Sequence, residues 1–547
     1  MVQILSVSSV ACLAVTALSA VIGYFVLRLS AKRRFYRGHD IPKAPHDPLW
    51  GHLKLLGEYT KKVPGSYVQA LWTQMKLDFN LPDIFYLDLW PFGPEFIVCA
   101  SPDAAAMLTT VNAFPQADLV AEFFAPTIGS SFIEATNGAL WKELHQMLAP
   151  GLTPGATRTY HDLIVDEAKS LHDRVRRVAA SGETTDMTYQ VGQYPFSIMW
   201  TIFFGERPDP NSGLYDALKR LNDISGSTGL PLNPITRWQE KRERAAIIRR
   251  LDKEIEKVIH SRFAKVSSQK PLPTRANASC LLDRMFLDQV KAGLPLDNRL
   301  IRLAQENAEG FLVAGYSTTT DTSSYVLMLL YSFPEVLQKV REEHDRVFGK
   351  DFDETLRILR EDPGSINDLP YTTAVIQETL RMFPIGMVVR DPPPGMTSFE
   401  YKGTTYPVGP NHSFTVLAHA MHHDATVFAS PKTFQPERFL PTTTTYPSNP
   451  SNPSEPSFPR SGYRPFERGL RSCMGQALAM TEMKVALVVL ARGFDMELCG
   501  HNPVEVPRLG HTDLDMVLGD HAFQDSRFTA GPNGEVEMKV RVAVGRG

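Results

Sequence analysis

Residues 1–27 carry no charged side chain, and residues 4–27 are almost wholly apolar or small. About 20 such residues cross the hydrocarbon core of a bilayer as one helix. Arg28, Lys32, Arg33, Arg34 and Arg37 follow at once, and a basic cluster after a span keeps the following body on the cytoplasmic side. A cleaved signal peptide, cut near Ala17-Leu18-Ser19-Ala20, is the competing reading. The apolar run is longer than a usual signal core and no basic residue precedes it, so a retained membrane anchor is predicted over residues 1–30. Residues 31–50 read as a basic and proline-rich hinge, stiffened by Pro42, Pro45 and Pro48, that sets the body at a fixed angle to the membrane. Residues 51–547 read as one further domain with helical signals throughout. Residues 237–263 form a charged amphipathic run, and residues 335–348 and 369–383 two more helices. Residues 300–333 are long, mostly apolar and stop at Pro334, the pattern of a central buried helix. Strand signals are few: residues 84–89, 96–99, and 399–416 with Lys402-Gly403 as a turn. Many helices with a few segregated strands predict an α+β, mainly α-helical domain with a small β-rich region. Residues 441–459, rich in Pro, Ser, Thr and Asn, read as an exposed irregular loop.

The 547 residues hold 57 Lys and Arg against 60 Asp and Glu, a net charge of -3. No basic excess points to nucleic acid and no acidic tail to disorder. Cys12, Cys99, Cys280, Cys473 and Cys499 lie far apart with no CxxC pair. That excludes a disulfide framework or a zinc site and fits a reducing compartment.

The densest chemistry lies in Pro465-Phe466-Glu467-Arg468-Gly469-Leu470-Arg471-Ser472-Cys473-Met474-Gly475-Gln476. Gly469 and Gly475 let the backbone turn tightly and approach a flat cofactor. Backbone N–H groups in such a loop, at the start of a following helix, stabilise a thiolate. Arg471, two residues before the sulfur, can pair with an anionic group on the cofactor. A buried free cysteine in a glycine turn is the plainer alternative.

Phe466-x-x-Gly469-x-Arg471-x-Cys473-x-Gly475 matches, at every defining position, the heme-binding signature of the cytochrome P450 superfamily, and the chain resembles that family. The resemblance runs from the anchor to a last strand signal at residues 536–544 and leans toward microsomal members from filamentous fungi. It implies the cytochrome P450 fold, with residues 51–547 as a single heme-binding catalytic domain. It further implies heme b with Cys473 as the axial thiolate, which favours O–O cleavage of bound dioxygen. By the same carry-over Arg471 pairs with a heme propionate and Phe466 packs beside the sulfur.

Glu378-Thr379-Leu380-Arg381 resembles the ExxR motif of the family, and Phe434-Gln435-Pro436-Glu437-Arg438-Phe439 its PERF-type element. Carried over, Glu378, Arg381 and Arg438 form a structural carboxylate–guanidinium network beneath the heme. Arg390 stands where many relatives contact a propionate. Trp141-Lys142-Glu143-Leu144-His145 resembles the propionate-binding WxxxR element, with His145 in place of the arginine. Its imidazole can donate a hydrogen bond, but its charge at neutral pH is no longer assured. Ala314-Gly315-Tyr316-Ser317-Thr318-Thr319 resembles the oxygen-activation motif, whose small residues allow a local opening of the helix. Thr318 takes the position of the motif threonine, a catalytic proton donor; a threonine bonded to a carbonyl one turn earlier is the alternative. Ser317 stands where an acid is usual, which puts Asp321 and Glu309 forward as substitutes in proton delivery.

The resemblance implies a monooxygenase that inserts one oxygen atom from O2 into a lipophilic small molecule, in fungal secondary metabolism. Electrons come from a separate NADPH-cytochrome P450 reductase, with cytochrome b5 as a second donor; no GxGxxG dinucleotide loop follows a strand here. The implied location is the endoplasmic reticulum membrane, single-pass, with the catalytic domain facing the cytoplasm. The sequons at Asn277 and Asn411 then carry no sugar. A heme-thiolate isomerase or dehydratase acting on peroxides without O2 or reductase is the alternative, kept open by Ser317 and opposed by Thr318. A heme sensor would make no use of the threonine. The substrate pocket is expected from residues 123–132 and 225–234, apolar and small, which name no substrate.

Overall fold

The computed structural model describes residues 7–65, 67–225, 234–440 and 458–543. Most of the predicted 441–459 loop, most of the 225–234 segment and residue 544 lie outside the described residues. The first helix spans Val7–Gly38. Within it, Val15–Gly38 is the one described helix long and apolar enough to cross a membrane. The predicted boundary at residue 30 is corrected: the helix continues through the basic cluster, and irregular chain begins only at His39. The reason is tertiary. Residues 32, 33 and 36 share a helix face, and each has a partner on the body. Lys32 Nζ lies 2.5 Å from Glu95. Arg33 pairs with Asp88 and donates to the carbonyls of Leu49 and Trp90 at 3.0 Å each. Tyr36 Oη lies 3.1 Å from His412 Nε2. The helix end therefore fixes the body, with the proline segment following it.

Asp88, Glu95 and His412 belong to a four-stranded sheet. Ile84–Asp88 runs antiparallel to Glu95–Cys99, Ile84 opposite Cys99. Glu95–Cys99 runs parallel to His412–Val416, Glu95 opposite His412, and Val388–Arg390 closes the sheet antiparallel to His412–Val416. The single strand signal at 399–416 resolves into three strands, because Lys402 and Gly403 both take positive φ and turn Ser398–Tyr401 back onto Thr404–Pro407 before His412 begins.

Helices make up the rest. The amphipathic run is Pro234–Ser268, and the two shorter predicted helices are Pro334–Phe348 and Pro370–Met382. The central helix is Asn298–Ser332, capped by Asp297, whose carboxylate accepts from Leu300 N at 2.8 Å. It is buried along most of its length, as its apolar pattern requires, against Met187–Phe204 above all. The fold is α+β and mainly helical, with the strands segregated, as predicted.

Candidate active site

Glu378 and Arg381 lie one helical turn apart in Pro370–Met382, both fully buried. Arg381 donates to the Glu378 carboxylate through Nε at 2.7 Å and Nη2 at 2.9 Å. Arg438, in the turn Pro436–Phe439, reaches the same carboxylate through Nε at 3.1 Å. The remaining donors are filled as well: Arg381 Nη1 donates to His422 O at 2.6 Å and Arg438 Nη1 to Ala429 O at 2.6 Å. Buried charges are tolerable only when paired this completely.

The cysteine loop leads into the helix Gln476–Gly493. Cys473 N donates to Phe466 O at 2.9 Å and Ser472 N to Gly469 O at 3.1 Å, which closes the turn. Gly469 has φ +84, and a Cβ there would meet Thr109 O at 2.0 Å, so only glycine fits. Cys473 has accessible surface although burial raises its thiol pKa, so the accessible face opens onto an internal cleft. Backbone hydrogen bonds from Gly475 and Gln476 act the other way and favour the thiolate.

Beside the loop, the Arg471 guanidinium stacks over Trp141 at 4.8 Å. Its Nη2 donates to Thr136 O at 2.7 Å and Asn137 Oδ1 at 2.9 Å. Its Nη1 is buried with no hydrogen-bond partner. Burial pushes the Arg471 pKa down to about 10, with Glu134 opposing and Arg390 adding to the shift. His145, its ring 4.9 Å from Trp141, lies half-buried on the helix Gly138–Leu148. Arg390 is buried and its pKa is lowered by burial, with Glu134 nearby opposing. Glu134 escaped the motif reading. It is held by Gln116, whose Nε2 donates at 2.8 Å. Burial raises its pKa against the pull of Arg390 and Arg471. An acid inside the apolar run before Trp141 was its one signal.

In the central helix Ala314 is exposed and Gly315 and Thr318 half-buried, although the surrounding turns are closed in. One expectation needs correction here. The helix does not open at the motif: Ser317 Oγ donates to Val313 O at 2.6 Å and Thr318 Oγ1 to Ala314 O at 2.7 Å, and the helix is unbroken. Small residues permit an opening, but hydroxyls bonded one turn back stabilise the closed form. Ser317 is buried and Thr318 half-buried, so the two neighbours have different surroundings. Neither proposed substitute acid is bonded to them. Asp321 accepts from Thr529 Oγ1 at 2.6 Å, and burial pushes its pKa up to about 6. Burial raises the Glu309 pKa well above the ordinary range, and Asp252 beside it adds to the shift. A carboxyl that does reach the motif is Glu482, on Gln476–Gly493, which hydrogen-bonds Thr319 and whose pKa burial raises well above the ordinary carboxylate range. No spacing in the sequence links the two. Phe311, one turn before the motif on the central helix, joins a ring cluster with Phe132, Phe124 and Phe528, centroids 5.3 Å (124 and 132), 6.2 Å (132 and 311) and 6.0 Å (124 and 528) apart.

Comparison with known proteins agrees with this geometry. The family model described as cytochrome P450 matches residues 75–517. The chain is 31% identical over 489 residues to the cytochrome P450 monooxygenase acrF of Aspergillus aculeatus, covering 86% of this chain and 97% of that protein. It is 28% identical over 530 residues to the cytochrome P450 monooxygenase ptmJ of Penicillium ochrochloron, covering 95% and 94%. It is 25% identical over 568 residues to the cytochrome P450 monooxygenase polC of Polytolypa hystricis, covering 98% and 96%. A family match over that span, on a fold that brings a lone cysteine turn to a buried Glu-Arg-Arg lock, means that the chain belongs to the cytochrome P450 family.

Proposed function

We propose that the protein is a membrane-anchored heme-thiolate monooxygenase of fungal secondary metabolism, with Cys473 as the iron ligand. The observation that carries the reading is the cysteine loop: a thiol with accessible surface although its surroundings are buried, approached by two backbone N–H groups. The residues around it fit heme b. Arg471 Nη1, buried and unpartnered, is a donor placed for a carboxylate, and an unsatisfied buried donor of this kind costs about 1–3 kcal/mol until it is met. Arg390 and His145 stand beside it as further propionate donors, and Trp141 buttresses the Arg471 guanidinium. Heme b ligated by a thiolate supplies the activation of O2, one atom of which enters the substrate. Thr318 holds its hydroxyl proton at the cleft wall, and rotation about its Cα–Cβ bond exchanges the Ala314 carbonyl for an acceptor in the cleft. The cluster of four phenylalanines, with Phe311 on the same helix as Thr318, supports a lipophilic substrate.

Electrons come from a separate NADPH-cytochrome P450 reductase, with cytochrome b5 as an accessory donor. The apolar first helix and its basic flank support an endoplasmic reticulum location with the body in the cytoplasm. Asn277 and Asn411 are both exposed, so a glycan at either would reverse that orientation. In a reconstituted assay with added reductase, NADPH and O2 consumption should depend on both proteins. Turnover of a peroxide without reductase would instead favour the isomerase or dehydratase class. Cys473→Ser should abolish the red-shifted Soret band of the ferrous–CO complex; survival of that band would remove Cys473 as the ligand.

A further inference from the structure

Glu467, directly after Phe466 in the cysteine loop, has φ +52, a conformation that non-glycine residues rarely adopt. Something must hold it there. Its carboxylate accepts from Arg464 Nε at 2.7 Å and from Arg464 Nη2 as well, and it caps Arg468 N at 3.0 Å. Arg464 is buried. Its Nη2 also donates to Thr109 Oγ1 at 2.5 Å. Thr109 lies in a π-helical turn, Met107–Val111, and its carbonyl is the atom against which Gly469 packs. One residue of that turn therefore meets the cysteine loop twice, through its hydroxyl and through its backbone.

The other end of Arg464 is held too. Its N–H donates to His422 Nε2 at 3.0 Å. That bond requires the proton of the neutral ring on Nδ1, where it donates to Arg381 O at 3.1 Å. Arg381 answers by donating Nη1 to His422 O. A continuous chain of hydrogen bonds thus runs from the Glu378–Arg381–Arg438 lock through His422 to Arg464. Between Arg464 and Glu467 stand only Pro465 and Phe466, and Phe466 O is the acceptor that fixes Cys473 N–H at 2.9 Å.

We infer that Arg464, Glu467 and Thr109 form a positioning clamp for Cys473, separate from the Glu-Arg-Arg lock, which holds the Phe466 carbonyl and through it the direction of the thiolate. The clamp touches no reacting atom. It acts by keeping the sulfur within reach of the Gly475 and Gln476 N–H groups, and donors to a ligating sulfur tune its electron donation and the potential of the metal it binds. Left-handed backbone at Glu467 is the strained element, and the Arg464 ion pair offsets that strain.

The inference rests on Cys473 being the ligand, so the experiment carries Cys473→Ser alongside. The informative variant is the double substitution Arg464→Met with Glu467→Gly. Glycine takes the left-handed φ freely and methionine leaves no buried charge behind, so strain and clamp disappear together. Glu467→Gln keeps an acceptor for Arg464 and serves as the conservative rescue. Thr109→Val removes one arm without touching charge or loop. Each full-length, heme-loaded protein is compared for melting temperature, midpoint potential, and the lifetime of the red-shifted ferrous–CO band. The double variant should melt near wild type but lose the band severalfold faster and at a shifted potential, Thr109→Val should move the same way, and Glu467→Gln should stay close to wild type. Wild-type lifetime and potential in the double variant overturn the clamp; should that variant fail to load heme, wild-type behaviour of Thr109→Val overturns it equally. If Cys473→Ser keeps the band, the ligand assignment falls; if it loses the band while the clamp variants match wild type, the clamp alone falls.

Discussion

Ser317 and Thr318 are neighbours in sequence with different surroundings. Thr318 meets the cleft, whereas Ser317 points into packed core and spends its only proton on Val313 O. An aspartate at 317 therefore does not restore the acid usual in the motif. It buries an unpaired carboxylate, at a cost of at least about 1–3 kcal/mol. Ser317→Asp should lower the melting temperature and load less heme, and an unchanged melting temperature would contradict the burial argument. Thr318→Ala loses a half-buried hydroxyl of the motif without disturbing the helix. It should release severalfold more hydrogen peroxide per NADPH and form less product, measured in one turnover assay; unchanged coupling would remove Thr318 from proton delivery. Glu482 is an acid bonded to this motif, through the Thr319 hydroxyl rather than through the 317 position, and burial raises its pKa.

At the scale of elements, the first helix does two jobs along one axis. Its N-terminal part is apolar with solvent-accessible side chains from Val15 onward, while Arg33 and Tyr36 near its end are as buried as core residues. Asp88 is fully buried, with Arg33 as its charged partner and the His46 ring, which burial holds neutral, 2.8 Å away. Removing one partner of a buried pair costs about 3–5 kcal/mol. Deletion of residues 1–30 should therefore free the body from membranes and leave its melting temperature unchanged. Deletion of residues 1–38 also removes Lys32, Arg33 and Tyr36, and should lower it by several degrees. Equal melting temperatures for the two truncations would show that the helix end adds nothing to the body.

At the scale of the whole molecule, stability should depend steeply on acid. His419 and His423 stack with ring centroids 4.2 Å apart, and His511 meets both edge-on at 4.9 and 5.4 Å. Burial pushes His422 and His511 down to about 3, and burial with neighbouring histidine charges holds His419 and His423 well below the ordinary range. These rings fold neutral. The unfolded chain takes up their protons below about pH 6.5, so each group loses the native state up to about 1.4 kcal/mol per pH unit from there down to its folded pKa. Sign and window follow: stability is full at neutral pH and falls as pH drops below about 6.5. The melting temperature of the heme-loaded protein should decline continuously from pH 7 to pH 5. A flat profile over that range would mean that these histidines are solvated.

Much of the site was legible because its chemistry is local in the chain. The cysteine turn and the ExxR pair each lie within one short segment, where spacing alone fixes what can meet: residues three apart on a helix face the same side, and glycine permits a turn that other residues resist. The central helix was legible from its apolar length, and the anchor from its lack of charge. Tertiary structure decided the rest. Where the anchor helix ends depends on Glu95, Asp88 and His412, which lie far along the chain. Whether Ser317 faces cleft or core depends on what packs against its side of the helix, and the acid that reaches the motif comes from another helix altogether. Arg464 and Thr109, 355 residues apart, meet only because the folded sheet and helices bring them together. Local geometry is written in spacing, whereas a long-range contact is selected by the free energy of the whole packed core, to which no single segment of sequence holds the key.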